Sequence, residues 1–216
     1  MTKLIRLTAA LKCAPILLSG CATAAYNIQE KFGIEKRDIL VNRVEDVSEA
    51  QTEAKEEFAN ALEAFRAVVN VEPSELETVY DDMNTAYKRS EADAEEVRNR
   101  VKSVKRVSRD LFKEWESELN QYSDAGLRRA SESQLRDTEA RYEKLVDRMD
   151  AASASMDPVL SVFKDRVLYL KHNLNARAIA ALYAQTPQLE QDVEHLIREM
   201  ERSIAEADSF IADMKG

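Results

Sequence analysis

The chain reads as an all-α protein, an elongated antiparallel bundle of about four long helices packed as in a coiled coil. Three observations predict this. Only four glycines and four prolines punctuate 216 residues. Apolar residues recur in alternating steps of three and four over most of the length. No stretch alternates apolar and polar residues with the period of two that a half-buried strand requires.

The first seam runs Leu40, Val44, Val47, Gln51, Ala54, Phe58, Ala61, Phe65 and Val68, and every position but Gln51 is apolar. Steps of three and four keep such residues on one face of a helix, the heptad pattern of packed helices. After it comes Asn70-Val-Glu-Pro-Ser74, where proline and the pair Ser74 and Glu77, spaced as a capping box, restart the helix. The second seam continues from Leu76 through Tyr80, Met83, Tyr87, Ser90, Ala94, Val97, Val101, Val104, Ser108, Leu111, Trp115 and Glu118 to Tyr122. Two antiparallel helices of nearly equal length are expected, each roughly 70 Å long at 1.5 Å per residue.

Ser123-Asp-Ala-Gly126 suits a tight turn. A third seam follows through Leu135, Thr138, Tyr142, Leu145, Met149, Ala152 and Met156. At Asp157-Pro158 its register slips, and it resumes as Leu160, Phe163, Val167, Leu170 and Leu174. A proline inside a helical pattern kinks the helix or begins a new one, and a kink near Pro158 in the third helix is the reading favoured. Thr186-Pro187 has the form of a cap followed by proline at the first helical position. The last helix carries Leu189, Val193, Leu196, Met200, Ala207, Phe210 and Met214, widened by Ile197, Ile204 and Ile211. A stripe that wide faces more than one neighbour.

Ahead of these helices, Lys3, Arg6 and Lys12 stand in a segment without acids, and Cys13-Ala-Pro-Ile-Leu-Leu18 forms a short apolar run ending in Leu18-Ser-Gly-Cys21. The run is far below the roughly 18 to 20 apolar residues of a membrane span. A leader is therefore expected over residues 1–20 and is set aside from the fold. The box resembles the bacterial lipoprotein pattern, with leucine three places before a cysteine and small residues between. That resemblance implies cleavage between Gly20 and Cys21, a diacylglyceryl group on the Cys21 sulfur and a third chain on the new amino group. It also implies outer-membrane sorting, since Ala22 stands where aspartate would signal retention at the inner membrane. Residues 21–27 would then be a lipidated tether, and 28–216 a single domain. Two or three acyl chains anchor stably where one binds only reversibly. Cys13 would leave with the leader and Cys21 be acylated, so no disulfide is expected.

The chain carries a net charge of −9, and loss of residues 1–20 removes three cations and no acid, taking it to about −12. Such a balance excludes a nucleic-acid partner, because phosphate contacts need a basic face. With 44% hydrophobic and 33% charged residues, the chain has enough apolar surface to bury.

Lys171-His-Asn-Leu-Asn-Ala-Arg177 sets polar groups inside the apolar run from Val167 to Tyr183. In a continuous helix, Asn173 and Arg177 share a face with Arg166, while His172 and Asn175 lie on another. Three readings stand: an internal hydrogen-bond network, a hairpin bend at Asn173 to Asn175, or a contact site for a partner or ligand formed by Lys171, His172, Asn173, Asn175 and Arg177. The pair Asp192 and His195 is one imperfect half of a carboxylate–histidine metal motif, and position 169, three before His172, is a tyrosine. No nucleophile motif or phosphate loop is present. Neither enzyme activity, metal nor cofactor is expected. The basic run Arg98, Arg100, Lys102, Lys105, Arg106 and Arg109 lies, in a hairpin folded about residue 72, beside Glu35, Asp38, Glu45 and Asp46. Interhelical ion pairing accounts for it better than an anionic partner does. Arg128 and Arg129 follow the turn at the anchored end, where headgroup contact is the hypothesis.

Phe32-Gly-Ile-Glu-Lys-Arg-Asp38, Leu127-Arg-Arg129 through Gln134-Leu-Arg-Asp137, and Met156-Asp-Pro158 through Leu170-Lys-His-Asn-Leu-Asn-Ala-Arg-Ala-Ile179 together resemble a family of Gram-negative lipoproteins catalogued as a domain of unknown function. The resemblance implies an envelope location and a helical fold, and it brings no catalytic residues. The expectation is a lipid-anchored periplasmic bundle acting as an envelope scaffold or interaction module. Its partners would be the membrane through Cys21, a periplasmic protein or the cell wall, or a second copy of the chain. The alternative is a binding module for a lipid or other small apolar or anionic ligand between the helices, where Ala176, Ala178, Ala180 and Ala181 leave room.

Overall fold

The computed structural model describes residues 36–67, 75–173 and 175–215. Five helices are present among them: α1 (Lys36–Ala67), α2 (Leu76–Leu119), α3 (Ala125–His172), α4 (Ala176–Tyr183) and α5 (Thr186–Lys215). No strand occurs among the described residues. The expected leader 1–20 with Gly20, the expected tether 21–27 with Cys21, Val68, the segment Asn70 to Ser74 and Leu174 lie outside them.

The four long helices form a ring in which α1 packs on α2, α2 on α3, α3 on α5 and α5 on α1. Pairs of cross-links fix each direction. Lys36 meets Glu114 at 2.7 Å and Arg100 meets Asp46 at 3.6 Å, so α1 and α2 are antiparallel. Lys105 reaches Asp150 at 2.6 Å while the Trp115 indole N–H donates to Ser131 Oγ at 2.8 Å, which orients α2 against α3. Arg141 with Asp213 and Arg166 with the Gln185 carbonyl do the same for α3 and α5. Arg66 with Glu190, and Lys215 with Glu45, close the ring.

The core is the set of seams read from the sequence. Leu40, Val44, Val47, Ala54, Phe58 and Ala61 of α1 are fully buried. They meet Ala94, Val97 and Val104 of α2, Leu145, Met149 and Met156 of α3, and Val193, Leu196 and Met200 of α5, all equally buried. Phe163 stacks on Phe65 with ring centroids 4.4 Å apart and on Phe58 at 6.1 Å. These rings tie α1 to α3 across the bundle, because offset stacking adds to the area that each aromatic buries.

Four local expectations need correction. The third seam does not slip at Pro158. It continues Met149, Ala152, Met156, Val159, Phe163, Arg166, Leu170 in unbroken three-and-four steps, with Val159 fully buried and Leu160 only half-buried. Pro158 lies on the exposed face inside α3. There the Ala154 carbonyl, which loses its intrahelical donor, is on an exposed residue and has water to turn to. Secondly, α2 starts with Glu75 at the N-cap and no side-chain cap bond. Thirdly, α2 ends at Leu119, so the last position of its seam, Tyr122, is an exposed residue of the turn. Fourthly, Thr186 does not cap α5. It lies within the helix, buried, and its hydroxyl donates back to the Leu182 carbonyl at 3.3 Å.

The turn at 120–124 is closed by Asp124, whose Oδ1 accepts from the N–H groups of Gly126 at 2.6 Å and Leu127 at 2.9 Å. These satisfy donors that a helix start leaves open, and they hold the Asp124 carboxyl below the usual range. A Cβ at Gly126 would lie 3.0 Å from Asp124 Oδ1, so the tight cap favours glycine there.

Candidate functional site

The polar stretch that stood out in the sequence is where helix α3 stops. Asn173 is its C-cap: the backbone N–H donates to the Leu170 carbonyl at 3.1 Å and Nδ2 donates to the Tyr169 carbonyl at 2.9 Å. Two residues on, Asn175 Oδ1 accepts from the Arg177 N–H at 3.1 Å and so starts α4. The two asparagines thus end one helix and begin the next, the local side-chain-to-backbone bonding for which this residue type is suited. Lys171, His172, Asn175 and Arg177 are exposed and Asn173 is half-buried. Of the three readings, the bend fits this geometry and the internal network does not. The break also accounts for the fifth helix. Ala180 and Ala181 are exposed, so neither lines a space inside the bundle.

One turn deeper, the structure places a charge in the core. Arg166 occupies a seam position between Phe163 and Leu170, both fully buried, and is itself 4% exposed. Its Nη2 donates to the Gln185 carbonyl at 2.6 Å, whereas its Nε is buried without a partner. No carboxylate among the described residues forms an ion pair with it. Burial alone draws the guanidinium below its ordinary pKa. Arg166 was visible in the sequence as a polar residue near the asparagines. Continuing the three-and-four steps past Met156 would have marked it as a core position.

Of the basic run on α2, two cations pair with α3, Arg109 meets Asp110 on its own helix at 3.7 Å, and Lys102 and Arg106 donate to Asn99 and Ser103. Arg98 bonds Asp157 and Lys105 bonds Asp150, while Arg100 bonds Glu96 at 2.5 Å on its own helix and reaches Asp46 of α1. The expected α1 acids therefore supply one partner of this run, and Glu45 turns to Lys215 instead. His172 and His195 are exposed, and Asp192 accepts from Gln188 Nε2 at 2.9 Å. Among the described residues no group of three His, Cys, Asp or Glu converges. A hollow of about 340 Å³ at the opposite end is lined by Arg37, Trp115, Gln134, Arg141, Phe210 and Asp213. Three of its charged groups are engaged: Arg141 pairs with Asp213 at 3.2 Å and Arg37 donates to the Met214 carbonyl, while Asp137 also lines it.

With this geometry in place, comparison with known families is informative. Residues 25–214 match the family described as protein of unknown function DUF2959. The chain belongs to this family. The DUF2959 match covers all five helices, so the bend at Asn173 to Asn175 and the buried Arg166 are within the family domain. No curated protein and no solved structure matches the chain. No helix among the described residues is long and apolar enough to cross a membrane.

Proposed function

We propose that this DUF2959 protein is a lipid-anchored periplasmic helical bundle that serves as an envelope scaffold or interaction module and carries no catalysis of its own. The observation that supports it best is the box Leu18-Ser-Gly-Cys21 behind a basic and apolar leader, with the family match beginning at residue 25, four residues beyond the cysteine. Cleavage before Cys21 leaves the family domain whole and attaches it to the bilayer by a short tether. Outer-membrane sorting, with the bundle facing the periplasm, follows from Ala22 after the cysteine.

On this reading the working part is the surface. Exposed apolar side chains stand at both ends: Tyr122 and Leu127 at the α2–α3 turn, and Leu168 and Tyr169 near the end of α3. Photoreactive residues introduced at positions 127, 168 and 169 in intact cells are expected to yield discrete adducts with a protein, with the cell wall or with a second copy of the chain. If every position gave the uncrosslinked monomer alone, the interaction reading would fail.

A further inference from the structure

A heptad seam position accepts leucine, methionine or valine at no electrostatic cost, and position 166 holds an arginine. The arginine side chain stays protonated near neutral pH, and a charge withdrawn from water without a counter-charge is among the costliest groups a fold can bury. Three other arginines at helix contacts have carboxylates: Arg66 has Glu190 and Glu63, Arg98 has Asp157, Arg100 has Glu96; Arg37, which bonds the Met214 carbonyl, is only half-buried. Arg166 has one backbone carbonyl. That bond steers the guanidinium by Nη2 and leaves Nε, a donor aimed along the same edge of the group, without an acceptor.

The stretch of chain around Arg166 is locally basic. Between Ser161 and Arg177 the chain carries Lys164, Arg166, Lys171 and Arg177 against Asp165 alone, in a protein whose net charge is −9. At this end α3 stops, and the eight-residue α4 packs on α3 without joining the ring of long helices.

We propose that Arg166 anchors an oxyanion site at the α3–α5 end of the bundle, taking the carboxylate or phosphate group of a small molecule or lipid headgroup. The ligand supplies the counter-charge that the described residues do not. Gln185, through its carbonyl, is a positioning residue that holds the guanidinium fork toward the ligand. The site is independent of the lipid anchor, since it uses only residues of the bundle.

The test is thermal unfolding of the full-length chain in neutral detergent, followed by circular dichroism at 222 nm. Sodium phosphate and sodium octanoate are each titrated against sodium chloride at equal ionic strength. A saturable rise of the midpoint by about 5 °C or more is expected with one of the two probes. A response to phosphate identifies a free oxyanion, and a response to octanoate alone identifies an amphiphile's headgroup. Arg166→Met is expected to abolish the response and, in chloride, to unfold at the same temperature as the parent or higher. Arg166→Lys, which keeps the charge and loses the fork, is expected to raise the half-saturating concentration on the order of tenfold. The proposal is overturned if neither probe moves the parent, if Arg166→Met responds equally, or if Arg166→Met is severely destabilised in chloride, the sign of a charge already satisfied within the chain. Should Arg166→Met not fold, an unchanged half-saturation in Arg166→Lys overturns it.

Discussion

Phe163 shows how much one residue holds in this fold. Its ring, fully buried, is stacked on two phenylalanines of α1, so truncation removes both its own burial and the stacking across the bundle. Phe163→Ala is expected to cost about 3–5 kcal/mol in urea-induced unfolding, and a loss under about 1 kcal/mol would show that the aromatic cluster does not join α1 to α3. Asp124 acts at the surface. Its carboxyl pKa is lowered by the two amides it caps, so the cap's contribution is present above the unfolded value and fades as pH falls through the lower folded value. Asp124→Ala should therefore speed hydrogen exchange at Gly126 and Leu127 at neutral pH, and unchanged exchange would refute the cap. Residue by residue, most of the core was legible because apolar side chains at three-and-four spacing mark a face. Arg166 was legible only as an oddity, since a charge at a seam position invites the reader to shift the seam to Leu160 and Val167.

At the scale of the element, the helices follow from the scarcity of glycine and proline, and their ends follow from the chemistry of single side chains. Gln51 sits in the middle of the α1 seam, fully buried, with neither amide atom partnered, and Ser203 on the antiparallel α5 also has a buried hydroxyl without a partner. Lys55 with Glu201 sets the register that brings these two positions to nearly the same level. An unsatisfied buried polar group costs about 1–3 kcal/mol, so Gln51→Met is expected to raise the unfolding free energy by about that amount. Destabilisation would mean that the amide is satisfied in solution, through water or through Ser203. A polar layer of this kind is the device by which helix pairs specify their register at some expense of stability. The proline does not end the helix or shift its seam, because Pro158 stands on an exposed face where the freed carbonyl is open to solvent. The asparagine signal was read as several things at once, because cap, network and contact all use the same residue type.

At the scale of the whole bundle, the ring of four long helices is held by an apolar interior and by cross-helix ion pairs that set which helix lies beside which. The sequence indicated interhelical pairing of the α2 cations, which Arg100 makes with Asp46 of α1 but Arg98 and Lys105 make with α3, since a hairpin argument sees only consecutive helices and α2 touches α3 as well as α1. Acids of the chain also crowd one another. Glu57, Asp93 and Glu139 are pushed above the ordinary carboxylate range first by burial, with nearby acids adding to the effect and, at Glu57, Arg89 opposing it. Carboxyls with raised folded pKa values bind more protons folded than unfolded, so stability rises as pH falls toward those values and declines as pH rises through them. The contribution of these groups to the urea midpoint is therefore expected to decline as pH rises from the unfolded carboxylate value, about 4, through the raised folded values, and a rise over that span would show that other groups dominate the pH dependence. The bundle's direction in the cell rests on Cys21, and the mass of the chain extracted from cell membranes tests that directly. A chain beginning at Cys21 and heavier by a diacylglyceryl group and an amide-linked acyl chain, with Cys21→Ala retaining residues 1–20 unmodified, is the predicted result. A parent chain that keeps residues 1–20 and carries no lipid would contradict the account.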